Sequence, residues 1–355
     1  MNIGIVSVYF ERGSGVICLQ IKQAIQRYTD HSISILGRMS IANNKKHIKF
    51  YDDYFYDNIL LYPTYQINDQ DFENWLILNK IDTVVFIEEQ HTRNLISICN
   101  KLNIKSINYI VWEFFNPADI LYYKQFTYLI CPTKSCYNKL KNDLLLNNSI
   151  YIPWGIDLDF YQWQEPIKKD KPIIFFPAGY GGVGDRKNEE AVINAFSYIC
   201  PRDKAILHIH TQKENQENNG HNIIKTSGTI SEQELIKYYR ESDIIVLPSR
   251  WEGNGLPFLE ASALGRPIIT IDAPPMNERV VNNINGLTCK VTRMKEVFNI
   301  FVKSAEIDIE DMTDKMIKLS EDKELLYNMQ IESRRFAEKE FNWYNNSLSL
   351  IDLLK

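Results

Sequence analysis

Short apolar runs, many of them rich in Ile and Val, alternate with helix-length segments along the chain. In the first half such runs occupy residues 3–8, 32–36, 83–87, 106–111 and 128–131. In the second half they occupy residues 173–177, 205–209, 223–226, 244–247 and 267–271. Continuous apolar strands with helices between them are typical of parallel sheets whose two faces are both covered. The pattern therefore predicts an α/β protein built from parallel sheets.

The same pattern indicates two domains, because ten strands are too many for one compact half and the alternation restarts after residue 170. A stretch with proline, glycine and several charges precedes this restart, as is common in linkers. We predict Rossmann-like domains over residues 1–157 and 171–337, joined by a linker over 158–170. Residues 212–222 are rich in Asn, Gln and Glu and are expected to form an exposed loop, whereas residues 311–355 have a helical pattern.

Composition narrows the class of protein. At 355 residues the chain is long enough for two domains, and 45% hydrophobic with 24% charged residues is typical of a globular protein. The net charge of −5 gives no overall positive field, so we expect no nucleic-acid partner. A strongly anionic ligand would need cations that are placed locally.

The cysteines and the first residues indicate a cytoplasmic protein. The six cysteines form no Cys-x-x-Cys pair and no metal-binding spacing, which favours small core residues in a reducing compartment. The apolar start MNIGIVSVYF lacks the basic segment of a signal peptide and is interpreted as a first strand. No apolar run approaches the roughly 20 residues that cross a bilayer. Lysine clusters leave open a peripheral contact with the inner face of the membrane.

The stretch over residues 244–270 is the most informative, and it is predicted to fold as strand, polar loop, short helix and strand. Pro257 suits the first turn of the helix and Gly265 the residue just past its end. The loop glycines and the helix N-terminus suit a phosphate. Glu252 and Glu260 are expected to face one crevice, where sugar hydroxyls are better partners for them than phosphate. An ordinary strand–loop–helix with two solvated glutamates is the alternative.

The arrangement around these two glutamates resembles a known signature. Seven residues, including Gly-Leu-Pro, separate Glu252 from Glu260, and Glu-Ala-x-Ala-x-Gly-x-Pro begins at Glu260. The pattern is similar to the EX7E signature of retaining GT-B glycosyltransferases of the GT4 type, specifically over residues 228–291 and more loosely elsewhere. The resemblance implies a GT-B fold, in which two Rossmann-like domains have a donor and acceptor cleft between them. It also implies that a C-terminal helix over residues 338–355 packs back on the first domain.

The resemblance implies roles for individual residues, position by position. Glu252 would lie near the donor sugar, and Glu260 would bind the ribose hydroxyls of the nucleotide. The amides of Asn254, Gly255 and Leu256 would hold the sugar and the distal phosphate.

A second glycine-rich loop follows the first strand of the second half. Gly179-x-Gly181-x-x-Gly184 has the pattern of a dinucleotide fingerprint, which predicts a carboxylate at the end of the next strand. That strand ends in His-Ile-His-Thr-Gln instead, so an NAD-dependent Rossmann oxidoreductase is kept only as an alternative. The resemblance implies a basic pair here, matched by Arg186 and Lys187, which would bind the donor diphosphate.

Two further loops are implied to reach the donor. Gly13 and Gly15, after the first strand, allow a tight turn and match the family's glycine-rich loop, with a plain strand-to-helix turn as the alternative. Thr229 and Ile230 resemble the loop whose backbone contacts the nucleotide base. The Ser-x-x-Glu that follows Ile230 also predicts a helix capping box.

Candidate residues of the first half follow two of its strands. His91 stands where family members often place a histidine that bonds the transferred sugar, with Glu88 and Glu89 as alternatives. Trp112 and Glu113 follow the next strand, where an aromatic face could stack on an acceptor sugar. An incidental loop histidine and a rim cluster of aromatic residues are the structural alternatives.

The resemblance implies a retaining transferase that moves a hexose from a UDP- or GDP-linked donor to a hydroxyl of a cell-surface glycan, a glycolipid or a glycoprotein. His91 and Glu252 would act on the sugar, while Arg186 and Lys187 would stabilise the leaving diphosphate without a metal or another cofactor. Asp157-Leu-Asp159 has the letters of an Asp-x-Asp motif but lies at the linker, beyond the site expected for a metal. A non-catalytic sugar-nucleotide-binding partner of the same shape is the second alternative. The oligomeric state, the donor and the acceptor stay open.

Overall fold

The computed structural model describes residues 1–9, 13–38, 58–89, 92–110, 113, 115–213, 218–297 and 300–355. The chain forms two compact units. The first unit comprises Met1–Trp154 together with Trp343–Lys355, and the second comprises Gly155–Asn342. The stretch interpreted as a linker, residues 158–170, falls within the second unit. Each unit is an α/β domain built on a seven-stranded sheet, so the predicted fold class of two parallel-sheet domains is confirmed.

The first unit contains an entirely parallel sheet. Its strands are β1 (Asn2–Val8), β2 (Ser32–Arg38), β3 (Ile59–Tyr62), β4 (Thr83–Ile87), β5 (Lys105–Tyr109), β6 (Tyr128–Cys131) and β7 (Ser149–Tyr151). They are ordered β3-β2-β1-β4-β5-β6-β7, and each neighbouring pair is parallel. The five strands predicted in this half are present, and the short edge strands β3 and β7 are additional.

Helices cover both faces of this sheet. They are α1 (Gly13–Tyr28), α2 (Asp69–Leu78), α3 (Asn94–Lys101), α4 (Ile120–Tyr123) and α5 (Lys134–Asn138). Asn68 caps α2 by accepting a hydrogen bond from the amide of Gln70. Gly4 of β1 allows α2 to approach the sheet, because a Cβ at this position would lie 2.7 Å from the ring of Trp75.

The second unit repeats this architecture. Its strands are β8 (Ile173–Gly179), β9 (Ile206–Thr211), β10 (Asn218–Gly220), β11 (Ile223–Ser227), β12 (Ile244–Leu247), β13 (Ile268–Ile271) and β14 (Gly286–Cys289). They are ordered β10-β11-β9-β8-β12-β13-β14, and all neighbours are parallel except β10 and β11. The prediction of a loop over residues 212–222 is wrong for residues 218–220, because these pair with β11 at the sheet edge.

The remaining elements follow in chain order. The helices of the second unit are α6 (Glu189–Ser197), α7 (Glu232–Glu241), α8 (Leu256–Ala263), α9 (Met276–Arg279), α10 (Ile309–Glu321) and α11 (Lys323–Glu340). An antiparallel hairpin of β15 (Val291–Val297) and β16 (Ile300–Ile307), which the sequence pattern did not predict, precedes α10. The chain then returns to the first unit with α12 (Trp343–Asn346) and α13 (Leu348–Leu354).

Two tryptophans fix this C-terminal segment in the first unit. The rings of Trp154 and Trp343 are 4.3 Å apart, and both side chains are fully buried. Both indole N–H groups bind Gln20 of α1, from Trp154 to the side-chain oxygen at 2.7 Å and from Trp343 to the carbonyl at 2.9 Å. A buried indole needs such a partner, so these bonds hold the returning segment against α1.

The strand order of the second unit identifies the edge where a ligand would bind. In open α/β sheets, ligands bind beyond the carboxyl ends of the strands, at the point where the strand order reverses. In this sheet the order reverses between the neighbouring strands β8 and β12. The loops over residues 180–188 and 248–255, which follow these two strands, therefore meet at this edge.

Candidate functional site

The loop between β12 and α8 ends as its sequence predicts. Gly255 has a left-handed backbone (φ +73°) directly before α8, and Pro257 lies in the first turn of the helix. Gly265, just past the end, is also left-handed (φ +67°), and a Cβ there would lie 2.5 Å from the indole nitrogen of Trp163. Both predicted limits of the helix are confirmed.

Glu252 is the centre of a buried ion cluster at the edge where β8 and β12 end. One of its carboxylate oxygens accepts a hydrogen bond from Arg186 at 2.6 Å, and the other accepts one from Lys187 at 2.7 Å. The side chain of Glu252 is 5% exposed, that of Lys187 10% and that of Arg186 25%. Two cations and one carboxylate give the cluster a formal charge of +1. The cluster therefore suits an anionic ligand that reaches it from the side of Arg186.

The glycine-rich loop after β8 brings the two cations to Glu252. Its predicted fingerprint glycines, Gly179, Gly181 and Gly184, all have positive φ. The amide of Lys187 donates to the carbonyl of Gly181 at 3.1 Å and closes the loop. The glycines thus form a compact turn whose last residues point the basic pair toward the neighbouring loop.

Burial and charge act in opposite directions on the pKa values of this cluster. Burial alone would raise the pKa of Glu252, but the charges of Arg186 and Lys187 outweigh it and lower this pKa to about 2. Burial lowers the pKa of Lys187, Glu252 opposes this effect, and repulsion from Arg186 adds to it. Since Glu252 stays ionised at neutral pH, it is a hydrogen-bond acceptor only.

Glu260 has a different environment from Glu252. It lies on α8, and its carboxylate accepts a hydrogen bond from the hydroxyl of Tyr239 at 3.0 Å. Burial raises the pKa of Glu260 to about 7, and the bond from Tyr239 opposes the rise. Lys187 interacts electrostatically with Glu260, so the two predicted glutamates belong to one neighbourhood. Tyr239, on α7, is a site residue that the sequence analysis missed.

Asn254 is held by an arginine that the sequence analysis also missed. Its side-chain oxygen accepts a hydrogen bond from Arg279, the last residue of α9, at 2.9 Å. Its side-chain nitrogen is buried and has no hydrogen-bond partner in the described part of the chain. Leu256 begins α8, and the first amides of a helix have no partners within the helix. The predicted amides at residues 254–256 therefore lie at a helix N-terminus.

The predicted base-contacting loop lies between β11 and α7. Thr229 is exposed and Ile230 is partly exposed. Ser231 caps α7: its hydroxyl accepts from the amide of Glu234 at 3.2 Å, and Glu234 accepts from the amide of Ser231 at 3.0 Å. The predicted capping box is confirmed, and it fixes the backbone on the C-terminal side of Ile230.

The glycine pair of the first unit differs from the expected tight turn. Gly13 begins α1 and Gly15 lies within it, and neither has a positive φ. The expectation of a tight turn is therefore wrong, because these residues are the first turn of the helix itself. Between them, the hydroxyl of Ser14 donates a hydrogen bond to Glu88, whose backbone is left-handed (φ +58°).

The other candidates of the first half are only partly covered by the structure. His91 and Trp112 lie outside the described residues. Glu113 is 7% exposed. Glu89 forms a buried ion pair with Arg38 at 2.7 Å, in which each side chain is 1% exposed. Glu89 is therefore engaged within the first unit.

The helices and cysteines bear on two broader expectations. None of the helices in the described ranges combines the length and the apolar character required to cross a bilayer. All six cysteines are free, and all are buried except Cys200, which is half-buried. The expectation of core cysteines is confirmed for the five buried ones.

Solved structures share this fold along the chain. Sucrose-phosphate synthase from Thermosynechococcus elongatus superposes with a TM-score of 0.75 at 14% identity, covering 100% of this chain and 98% of that one. HepE of Anabaena in complex with UDP-glucose gives a TM-score of 0.69 at 10% identity, covering 100% and 99%. At these identities the likeness shows the fold alone, and it confirms the predicted GT-B fold.

Curated sequences match shorter parts of the chain. A glycosyltransferase of Sulfolobus islandicus rod-shaped virus 1 is 27% identical over 173 residues, which are 45% of this chain and 51% of that protein. The UDP-Gal:alpha-D-GlcNAc-diphosphoundecaprenol alpha-1,3-galactosyltransferase of Escherichia coli is 34% identical over 106 residues, 30% of this chain and 22% of that protein. The chain thus spans about half the length of these relatives, or less.

One family profile matches the unit that contains the ion cluster. The profile described as Glycosyl transferases group 1 covers residues 157–336, just over half of the chain and wholly within the second unit. This range includes Arg186, Lys187, Glu252 and Glu260. The chain therefore belongs to the glycosyl transferases of group 1.

Proposed function

We propose that this chain is a retaining hexosyltransferase, which moves a hexose from a nucleotide diphosphate sugar to a hydroxyl group of an acceptor. The observation that carries the proposal is the cluster in which Arg186 and Lys187 share Glu252. The leaving group of such a reaction is a nucleoside diphosphate, so catalysis needs positive charge where the negative charge develops. A cluster with a surplus positive charge, open on one side, supplies it.

Arg186 and Lys187 would hold the diphosphate. A guanidinium carries five N–H donors and an ammonium three, so one bond from each to Glu252 leaves donors for phosphate oxygens. Glu252 fixes both cations before the donor arrives, which lowers the cost of reorganisation as charge develops. The proposal uses no metal ion and no other cofactor, because the two cations provide the charge.

Glu252 would accept a hydrogen bond from a hydroxyl of the transferred hexose. Its pKa of about 2 keeps it ionised, and an ionised carboxylate repels phosphate but accepts from hydroxyls. The amides of Asn254, Gly255 and Leu256 would contact the sugar and the distal phosphate. They lie at the N-terminus of α8, where the partial positive charge of the helix favours an anion.

The nucleoside would be bound by the neighbouring elements. Glu260, held by Tyr239, would accept from the ribose hydroxyls, and the backbone at Thr229 and Ile230 would contact the base. UDP sugars are the first to test, because HepE binds UDP-glucose and the Escherichia coli relative is named for UDP-Gal. GDP sugars are the second choice.

The first unit would bind the acceptor. Trp112 and Glu113 stay the candidates for contact with it, and His91 stays the candidate for contact with the transferred sugar. The structural neighbour WaaG, which superposes with a TM-score of 0.65 at 12% identity, is named for lipopolysaccharide biosynthesis. A lipid-linked acceptor, used at the cytoplasmic face of the membrane, is therefore the first to test, ahead of free glycans and proteins.

A ligand panel tests the donor site. Calorimetry with UDP-glucose, UDP-galactose, GDP-mannose and NAD should show binding of a nucleotide sugar and none of NAD. Glu260→Gln should weaken the binding of the preferred nucleotide sugar because it replaces the ribose ligand. Binding of NAD alone would overturn the proposal and favour the oxidoreductase.

Turnover of a labelled donor tests the reaction. Transfer or slow hydrolysis in the presence of EDTA is expected, and the product should keep the anomeric configuration of the donor as measured by NMR. Binding without turnover, with each acceptor class supplied, would favour the non-catalytic alternative. An inverted product or complete loss of activity in EDTA would contradict the retaining, metal-independent mechanism.

A further inference from the structure

The side chain of Arg250 joins the cation-bearing loop to the β15–β16 hairpin. Its guanidinium donates to the side-chain oxygen of Asn188 at 2.9 Å and to the carbonyl of Asp185 at 3.2 Å, and it lies 3.4 Å from the Asp185 carboxylate. On its other side, the same guanidinium forms an ion pair with Glu306 of β16. One side chain therefore contacts two segments that flank the ion cluster.

The backbone of Arg250 makes the same connection. Its amide donates to the carbonyl of Arg186 at 2.8 Å, and its carbonyl accepts from the amide of Ala305 at 2.9 Å. Ala305 and the preceding Ser304 are fully buried, so β16 is packed at this point. The hairpin, the loop after β12 and the loop after β8 are thus hydrogen-bonded in series.

The loop after β8 needs such support. Asp185 and Asn188 have left-handed backbones (φ +55° and +60°), a conformation that is uncommon in residues other than glycine. These two residues flank Arg186 and Lys187, and both accept hydrogen bonds from the guanidinium of Arg250. Strained conformations persist only where the surrounding structure fixes them.

We propose that Glu306 is a positioning residue for the donor site: through Arg250, the hairpin holds the loop that aims Arg186 and Lys187. The inference rests on the proposed function, since Arg186 and Lys187 need to be positioned in order to bind a diphosphate. We call the contacts of Arg250 with Glu306 and with the loop after β8 the tie between the hairpin and the loop. This tie can be measured without any nucleotide. A failure of the tie and a failure of the proposed function are therefore distinguishable.

The hairpin provides a matched control. Glu306 is 25% exposed in its pair with Arg250, whereas Glu296 of β15 is 75% exposed in its pair with Lys303, which is 60% exposed. Exposed ion pairs contribute little to stability. Glu296→Ala therefore removes a carboxylate from the same hairpin without removing any contact of Arg250. Glu306→Gln keeps an acceptor oxygen for Arg250 and serves as the conservative variant.

The experiment compares Glu306→Ala, Glu306→Gln and Glu296→Ala by two measurements. In hydrogen exchange without nucleotide, peptides covering residues 181–188 should exchange about fivefold faster in Glu306→Ala, because the amides of Lys187 and Asn188 lose the support of their loop bonds. In calorimetry with UDP and with GDP, the better ligand should bind about three- to tenfold more weakly. Glu306→Gln should recover most of both effects, and Glu296→Ala should match the wild type.

Each outcome decides one question. Unchanged exchange of residues 181–188 in Glu306→Ala would overturn the tie between the hairpin and the loop. Faster exchange with unchanged nucleotide affinity would show that the tie does not position the site. If neither UDP nor GDP binds the wild type while the loop exchanges faster, the proposed function fails and the tie stands. A fall in thermal stability alone, equal in Glu306→Ala and Glu306→Gln, would assign Glu306 a purely structural role.

Discussion

The carboxyl edges of the two sheets each carry a buried ion pair, but the two differ in charge and in access. In the first unit, Arg38 at the end of β2 pairs with Glu89 after β4, and each side chain is 1% exposed. In the second unit, one carboxylate serves two cations, of which Arg186 is 25% exposed. The two sheets share the same winding, with β1 next to β4 and β8 next to β12. The difference therefore arises from the loops and not from the topology.

The enclosed pair has the features of a structural element. The side chain of Glu89 also accepts from the amide of Thr92 at 2.8 Å, and its carbonyl accepts from the side chain of Asn108 at 3.2 Å. Charges that are removed from water persist only with such a set of partners. A buried ion pair at this edge therefore does not by itself identify a binding site. The cluster of the second unit differs in its surplus positive charge and in the partial exposure of Arg186, which favour an anionic ligand there.

Arg38→Met should have the largest effect, and it should be on stability. It leaves Glu89 buried without its cation, which costs about 3–5 kcal/mol of unfolding free energy, measured by urea denaturation. Replacing both partners, Arg38→Met with Glu89→Leu, should recover part of this loss because no uncompensated charge remains. Nucleotide affinity of the folded protein should not change. An Arg38→Met variant of normal stability with weaker nucleotide binding would contradict the structural role of the ion pair in the first unit.

Lys187→Met should have the opposite effects, a small loss of stability and a clear loss of nucleotide affinity. Glu252 keeps Arg186 as a partner, so the loss of stability should be smaller than for Arg38→Met. Removal of a charged donor to the diphosphate should weaken nucleotide binding by about 10- to 100-fold in calorimetry. Lys315→Met is the matched control, because Lys315 forms a half-buried pair with Asp311 on α10 of the same unit. Equal affinities in both variants would remove Lys187 from the donor site.

Two glycines at helix starts extend the comparison to the backbone. Gly255 precedes α8 with φ +73°, and a Cβ there would lie 3.1 Å from the ring of Phe258. Gly255→Ala should therefore lower the free energy of unfolding by about 1–2 kcal/mol. Gly13 begins α1 with ordinary helical backbone, and no described atom lies within 4 Å of a Cβ placed there. Gly13→Ala should be neutral or stabilising by up to about 1 kcal/mol. Equal losses of unfolding free energy in both variants would contradict the left-handed backbone at Gly255 and the helical backbone at Gly13.

The fold was predictable where strands are buried on both faces. Residues 244–247 form an unbroken apolar run because all four are buried in the sheet, and Pro257 and Gly265 mark the ends of the next helix. The short edge strands β7 and β10 carry no such run. The edge strand β3 is apolar in sequence (Ile-Leu-Leu-Tyr), but none of its four residues is fully buried, and the sequence analysis did not assign it as a strand. In the β15–β16 hairpin, the central side chains of β15 are exposed, so this strand contains no apolar run of the kind that identified the other strands.

The candidate site was predictable residue by residue but not as an arrangement. Arg186, Lys187 and Glu252 each belong to a recognisable loop, yet the single carboxylate that binds both cations joins loops about 65 residues apart in the chain. Such pairing depends on the neighbouring positions of β8 and β12, which the sequence order does not specify. Tyr239 and Arg279 lie singly in helices with no spacing that separates them from surface residues.

Glu260 gives the smallest predicted effect, and a rise in pH should change stability and nucleotide affinity in opposite directions. Its folded-state pKa of about 7 lies above its ordinary value of 4.5, so the protonated form is favoured by folding. The stability from this group is therefore complete below pH 4.5 and is lost as the pH rises through 7. Ribose hydroxyls donate best to the ionised form, so nucleotide affinity should rise by about threefold to tenfold between about pH 6 and 8.

Variants of Glu260 and its partner separate these two dependences. Glu260→Gln should remove the rise in nucleotide affinity, measured by calorimetry between about pH 6 and 8. It should also remove the loss of stability as the pH rises from 4.5 through 7, measured by urea denaturation. Tyr239→Phe removes the hydrogen bond that holds the pKa of Glu260 down, so the midpoint of both curves should move above 7. A wild-type affinity that falls as the pH rises would place the ionised carboxylate away from the ribose, and the second unit would then bind its nucleotide through the cation cluster alone.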